Sequence, residues 1–181
     1  MTAAQHAAAL TAILRRGSVF SLTKEEIAPV DAVIHLAAMV GVGQSMDLPV
    51  RYVQDNVRDT AYLLALMGSY HEPPRLVVAS SMSVYGEGSQ AHGVPEDWPR
   101  NPHSVYATTK NAAEDIAMQL ADYHSIDAVA LRYFNIYGPR QQLSNPYTGL
   151  GAIFTRQIRE GIRPTVFEDG QQLRDFIHVS D

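Results

Sequence analysis

The chain has 181 residues, 46% of them hydrophobic and 18% charged, enough for one domain with a real core and too apolar for a disordered tail. Fourteen Lys and Arg against nineteen Asp and Glu leave a net charge of −5, which removes the general attraction that nucleic acid or an anionic membrane requires. The absence of Cys excludes disulfides, thiolate zinc sites and thiol catalysis.

No apolar run reaches the roughly eighteen residues of a spanning helix, and Arg15 and Arg16 follow the first apolar stretch where a secretory signal needs positive charge ahead of it. A cytoplasmic protein without a membrane partner is expected. Residues 2–16 are Ala-rich without Gly or Pro, and Gly17 follows as a C-cap, which predicts a helix. Asp31 to Ala37 is a short β-branched run and predicts a strand, while Leu48 to Tyr70 carries apolar residues at helical spacing, among them Val53, Val57, Leu63, Leu64 and Met67. Arg75 to Ser81 follows two prolines and predicts a strand, then a Gly-, Pro- and Ser-rich loop runs to Pro102. A helix from His103 to His124, a strand over Ala128 to Tyr133, a helix near Gly151 to Glu160 and a strand over Pro164 to Phe167 complete the order. This alternation implies an α/β fold, a doubly wound parallel sheet with helices on both faces. The pairs Gly41-Val42-Gly43 and Gly86-Glu87-Gly88 lack a third glycine and read as loop glycines.

Chemistry concentrates at two places. Tyr106 and Lys110 are four apart on a predicted helix, an advance of about 400° that puts both on one face. A neighbouring cation favours the phenolate and turns an inert hydroxyl into a general base. By itself such a pair is more often a packed ring beside a snorkelling lysine. The stretch Ser80-Ser81-Met82-Ser83-Val84-Tyr85-Gly86 leaves the carboxyl end of a strand, where parallel sheets bind ligands. His35 reads as a packed histidine, and seven scattered His without a close pair give no metal site.

Taken in order, residues 33–38, Ser80 to Gly86, Tyr106 to Lys110, residues 131–135 (LRYFN) and Arg174-Asp175-Phe176 resemble the extended short-chain dehydrogenase/reductases, specifically the NAD-dependent nucleotide-sugar epimerases and dehydratases. The resemblance implies an isomerase with NAD as cofactor and a UDP- or dTDP-hexose as substrate. It makes Tyr106 the proton acceptor, Lys110 the ribose-binding cation that lowers the tyrosine pKa, and Ser81 the hydrogen-bond partner of the reacting hydroxyl. It places Ala37 and Ala38 along the cofactor cleft, with Asn56 on the following helix as a structural or cofactor contact and Ser80 and Phe134 flanking the nicotinamide. Asn135 and Arg174 would hold the sugar nucleotide, and Val166 and Phe167 would pack near its base. Dehydratases of the family carry Asp then Glu after the catalytic hydroxyl; here Met82 and Ser83 stand there, which favours 4-epimerisation through a 4-keto sugar. A dehydratase or reductase, or a non-catalytic sugar-nucleotide-binding or interaction protein, are the alternatives. Relatives also lead one to expect a homodimer through the helices over 48–70 and 103–124.

One part of the pattern is missing. The family opens with a strand, a glycine-rich turn and a helix that bind the pyrophosphate, yet residues 1–30 contain only Gly17. The expected organisation is a non-family helix and linker over 1–30, the later part of a Rossmann-like domain over 31–135, and the start of a substrate-binding region over 136–181. Strand 31–37 then becomes an edge, and a truncated chain with weak NAD binding and little activity alone is expected.

Overall fold

The computed structural model describes residues 30–87, 93–143, 149–166, 169–171 and 173–181. The helix expected over 2–16 lies outside them. The chain divides into two compact units, Met1–Gly88 with Val94–Arg132, and Ser89–Gly93 with Tyr133–Asp181.

The first unit is built on a three-stranded sheet in which β2 (Arg75–Ser81) lies between β1 (Ala32–His35) and β3 (Ala128–Tyr133). β1 and β2 run parallel with Val33 beside Leu76 and His35 beside Val78. The Leu76 N–H donates to the carbonyl of Asp127, just ahead of β3, at 2.9 Å. Alternation puts Val33, Leu76 and Val78 on one face, where they meet Leu63, Leu64 and Met67 from α3 (Asp59–Met67) and Ala117 and Ala121 from α4 (Val105–Tyr123). Each fully buried Leu or Met here contributes about 2 kcal/mol.

Helices on both faces were expected. Among the described residues they cover one, and Ile34, Val129 and Leu131 on the other face remain 48%, 47% and 38% exposed. The strands over 75–81 and 128–133 lie where periodicity puts them, and β1 occupies the interior of the run over 31–37.

The helix expected over 48–70 is three segments: α2 (Pro49–Tyr52), a π-helical stretch over Val53–Arg58, and α3. Pro49 starts it because proline's fixed φ suits a first helical position, and the wide π turn carries Asn56 inward to 1% exposure. Ahead of it stands α1 (Val42–Asp47). Gly43, read as a loop glycine, is therefore helical, because its neighbours Gln44 to Asp47 close the turn.

Ser104 caps α4 by accepting a hydrogen bond from the Ala107 N–H at 3.1 Å. The helix buries Ala107, Lys110, Ala113, Glu114, Ala117 and Ala121 along one stripe, and its alanines let it sit close to the sheet.

In the second unit, β4 (Asn135–Tyr137) and β5 (Phe176–His178) pair in parallel, and α5 (Leu150–Arg159) accompanies them. These three-residue strands are too short to show a period. The strand expected over Pro164 to Phe167 is not formed at residues 164–166, and Phe167 lies outside the described residues.

Candidate active site

β2 ends at Ser81, and the chain turns into a short 3₁₀ segment over Met82–Tyr85. Ser81 is extended and caps that turn: its Oγ accepts from the Ser83 N–H at 3.2 Å and from Ser83 Oγ at 3.0 Å. Its own proton remains available to donate, and Ser81 acts on the Tyr106 phenol in the direction that favours the phenolate. Tyr106 is half-buried in the first turn of α4, with the ring of Tyr52 edge-on at 6.4 Å. Four residues on, Lys110 is 7% exposed, and its Nζ donates to the carbonyl of Ala79 in β2. The three polar groups read from the sequence as one cluster therefore meet at the carboxyl end of β2.

Their electrostatics differ in one respect from expectation. Lys110 was expected to lower the tyrosine pKa, but its ammonium is held at Ala79 and burial decides the outcome. Burial pushes the Tyr106 phenol above its ordinary value, with the Ser81 hydrogen bond opposing it. Burial also lowers Lys110 to about 8, partly offset by Glu114. The amine still holds its proton at neutral pH, so the cation is in place.

The segment after β1 carries Ala37, exposed, and Ala38, half-buried. It is tied to α4 by Asn56, whose Oδ1 accepts from the Met39 N–H at 2.7 Å while Nδ2 donates to the Met39 carbonyl and to Thr109 Oγ1, both at 3.1 Å. Thr109 Oγ1 in turn donates to the carbonyl of Tyr106 at 2.9 Å. Asn56 thus spends its amide within the protein. Tyr52 supports the same segment, its hydroxyl lying 2.7 Å from the Val40 carbonyl and 2.9 Å from that of Gly41.

Ser80 is 4% exposed, and its hydroxyl donates to Glu114 Oε2 at 2.5 Å. Glu114 and Tyr52 were not singled out from sequence, and Arg132 and Thr109 lay within quoted motifs without a role of their own; the signal for Glu114 is its place one helical turn after Lys110 on the buried stripe of α4. His35 is buried at 6%, with Nε2 2.9 Å from Thr60 Oγ1. Burial, then the Lys110 charge, lower it to about 4 against a smaller opposing effect of Asp59.

The remaining predicted residues belong to the second unit. Phe134 is half-buried, and Asn135 opens β4 with Nδ2 donating to the Asp175 carbonyl at 2.9 Å. Arg174 is exposed, its Nη1 donating to the Leu173 carbonyl at 2.7 Å, and Val166 is 57% exposed. Among the described residues no cluster of His, Asp and Glu could hold a metal ion, and no helix is long and apolar enough to cross a membrane.

Comparison with known proteins gives the family of the chain. The family model for the NAD dependent epimerase/dehydratase family matches residues 5–181, beginning ahead of Asp31. UDP-glucuronate 4-epimerase 2 of Arabidopsis thaliana is 35% identical over 184 residues, an alignment covering 94% of this chain and 42% of that protein. Among solved structures, the UDP-N-acetylglucosamine 4-epimerase of Methanobrevibacter ruminantium, in complex with UDP-N-acetylmuramic acid, superposes with a TM-score of 0.81 at 34% identity over 90% of this chain and 52% of that one. The UDP-glucuronic acid 4-epimerase of Bacillus cereus, in complex with UDP-glucuronic acid and NAD, gives 0.79 at 32% identity over 90% and 50%. The chain spans about half the length of these solved relatives and less of the plant protein. With a partial Rossmann-like sheet and the Ser, Tyr and Lys at its carboxyl end, the chain belongs to the NAD-dependent epimerase/dehydratase family.

Proposed function

We propose that this chain carries the proton-transfer centre of an NAD-dependent nucleotide-sugar 4-epimerase acting on a UDP- or dTDP-hexose. The observation that carries the reading is the hydrogen bond from the buried Lys110 ammonium to the Ala79 carbonyl, which ties the helix that carries Tyr106 to the end of the strand that carries Ser81. The three 4-epimerases above, each named for a UDP-sugar, support the substrate class.

The donors present fit the nicotinamide-ribose side of NAD. An ammonium has three donors and Ala79 takes one from Lys110, so the others suit ribose hydroxyls. Ala37 and Ala38 have methyl side chains that permit close approach, and Phe134 offers an apolar face. When bound, NAD supplies the reversible removal of hydride from the sugar carbon.

The chain's own residues handle the proton. Ser81 orients the C4 hydroxyl toward Tyr106, and the phenolate oxygen of Tyr106 accepts the hydroxyl proton as the carbon is oxidised. The same phenol returns that proton to the oxygen when the sugar carbon is reduced on its opposite face, so the tyrosine ends as it began. Burial disfavours the phenolate in the free protein, and Ser81 is the group that opposes it. Met82 and Ser83 occupy the positions where elimination of water would need an acid and a base, and neither side chain serves at neutral pH. Asn135, Arg174, Val166 and Phe167 are assigned to the sugar nucleotide, Arg174 through charge-assisted bonds to the diphosphate. Asn56 is assigned to holding Met39 and the first turn of α4, not to touching the cofactor.

Incubation with NAD and a panel of UDP- and dTDP-sugars, with products resolved by chromatography, tests the proposal. A 4-epimer supports it. A dehydrated 4-keto sugar would assign a dehydratase instead, and bound but unchanged sugar nucleotide a binding protein.

A further inference from the structure

Two charged residues occupy core positions on α4. Lys110 belongs to the chemistry above, but Glu114, 6% exposed, has no part in it. Its carboxylate nonetheless joins three other segments to α4. Ser80, at the end of β2, donates to Oε2 at 2.5 Å. Arg132 of β3 donates from Nε to both oxygens at 3.1 Å and from Nη2 to Oε1 at 2.6 Å. Arg100, in the loop before α4, places Nη1 3.5 Å from Oε1. Arg132 then continues outward, with Nη1 donating to the Tyr85 hydroxyl at 2.6 Å and to the Glu96 carbonyl at 2.7 Å. Burial pushes the Glu114 carboxyl up, but hydrogen bonds from Arg132 and Ser80 and the charges of Arg132 and Arg100 outweigh it and keep the group ionised.

A buried ion pair adds little stability over apolar residues of the same volume, and its best-attested use is to select one arrangement. The arrangement selected here is the end of β2. Ser80 precedes Ser81, and Tyr85 closes the turn that Ser81 caps. Both sides of Ser81 are therefore referred to the same carboxylate.

We propose that Glu114 is a positioning residue that holds Ser80, and through it the Ser81 hydroxyl, in register with the Tyr106 phenol without touching substrate. The inference rests on the proton-transfer role given above to Ser81 and Tyr106, and its test reads the phenol directly, without turnover.

Tyr106 is replaced by difluorotyrosine in the full chain, which brings its titration toward neutral pH, and the ring is followed by fluorine NMR. Charge and position predict opposite signs. Glu114→Gln removes a negative charge and leaves Arg132 and Lys110 without it, while Arg100 keeps Asp115 at 2.6 Å, so a purely electrostatic role moves the titration down. Loss of a well-placed Ser81 donor destabilises the phenolate and moves it up. The expected result is an upward shift in Glu114→Gln and in Ser80→Ala, with the double variant no further shifted than the larger single one. A downward or absent shift in Glu114→Gln, or additive shifts in the double variant, would overturn the proposal. Should Glu114→Gln fail to fold, Ser80→Ala keeps the Glu114–Arg132 pair and decides alone: an unmoved titration overturns the proposal. Failure to epimerise sugars would count against the function and leave this outcome readable.

Discussion

Lys110 in α4 donates from Nζ to the Ala79 carbonyl, 31 residues earlier in the chain, and so ties the helix that carries Tyr106 to the strand that ends at Ser81. Ser81 is fixed by its cap on the following turn and Tyr106 by the capped first turn of its helix. Their approach is thus set by two backbone devices and not by side-chain freedom. Replacing Tyr106 with Phe keeps the ring against Tyr52 and removes only the oxygen. We expect kcat to fall about 10²–10⁴-fold, the usual worth of a positioned acid or base, with sugar-nucleotide affinity nearly unchanged; steady-state kinetics beside calorimetric titration of the sugar nucleotide would check it.

Asn56 makes three hydrogen bonds that tie the segment after β1 to α4. Asn56→Ala strands the N–H and carbonyl of Met39 and the hydroxyl of Thr109 in a buried site, and should cost about 3 kcal/mol. Urea unfolding measures this directly. A loss under about 1 kcal/mol would show that the amide is not the tie.

His35 makes stability depend on pH. Its folded pKa of about 4 lies below the 6.5 of an exposed histidine, so the unfolded chain binds the proton first. The stability is complete above about pH 6.5 and is lost as pH falls toward 4, by about 3 kcal/mol over the window. Urea midpoints from pH 7 to pH 4.5 should fall, and His35→Leu should fall less over the same range.

Two glycines should respond in opposite directions. Gly86 has φ of 69° and a Cβ there would lie 2.3 Å from the carbonyl oxygen of Asn101, a backbone atom that itself belongs to a residue bonded to Val84. Gly86→Ala should destabilise by about 2–3 kcal/mol. Gly43 lies within α1 with nothing within 4 Å of such a Cβ, and Gly43→Ala should stabilise by about 0.5–1 kcal/mol. Paired denaturant titrations test both signs.

What the sequence disclosed follows from range. β2 and β3 were legible because strand alternation, and for β2 the two prolines ahead of it, are local, and α4 because its stripe runs from Ala107 to Ala121. Ser81, Tyr106 and Lys110 were legible as a set through spacing and resemblance. The π turn at Asn56 was not, because what it serves, Met39 and Thr109, lies 17 and 53 residues away. Glu114 was missed for the same reason: a Glu on a helix looks solvated until Ser80 and Arg132, 34 and 18 residues off, are folded against it. The lowered tyrosine pKa was misjudged because spacing gives the distance of Lys110 but not the depth of the phenol.

The most direct measurement is proton NMR of a UDP-hexose incubated with the full chain at saturating NAD, beside the Tyr106→Phe variant. The account predicts that signals of the 4-epimer grow in with the native chain and not with the variant. A sugar nucleotide that stays unchanged under those conditions, or epimer formed equally by the variant, would contradict it.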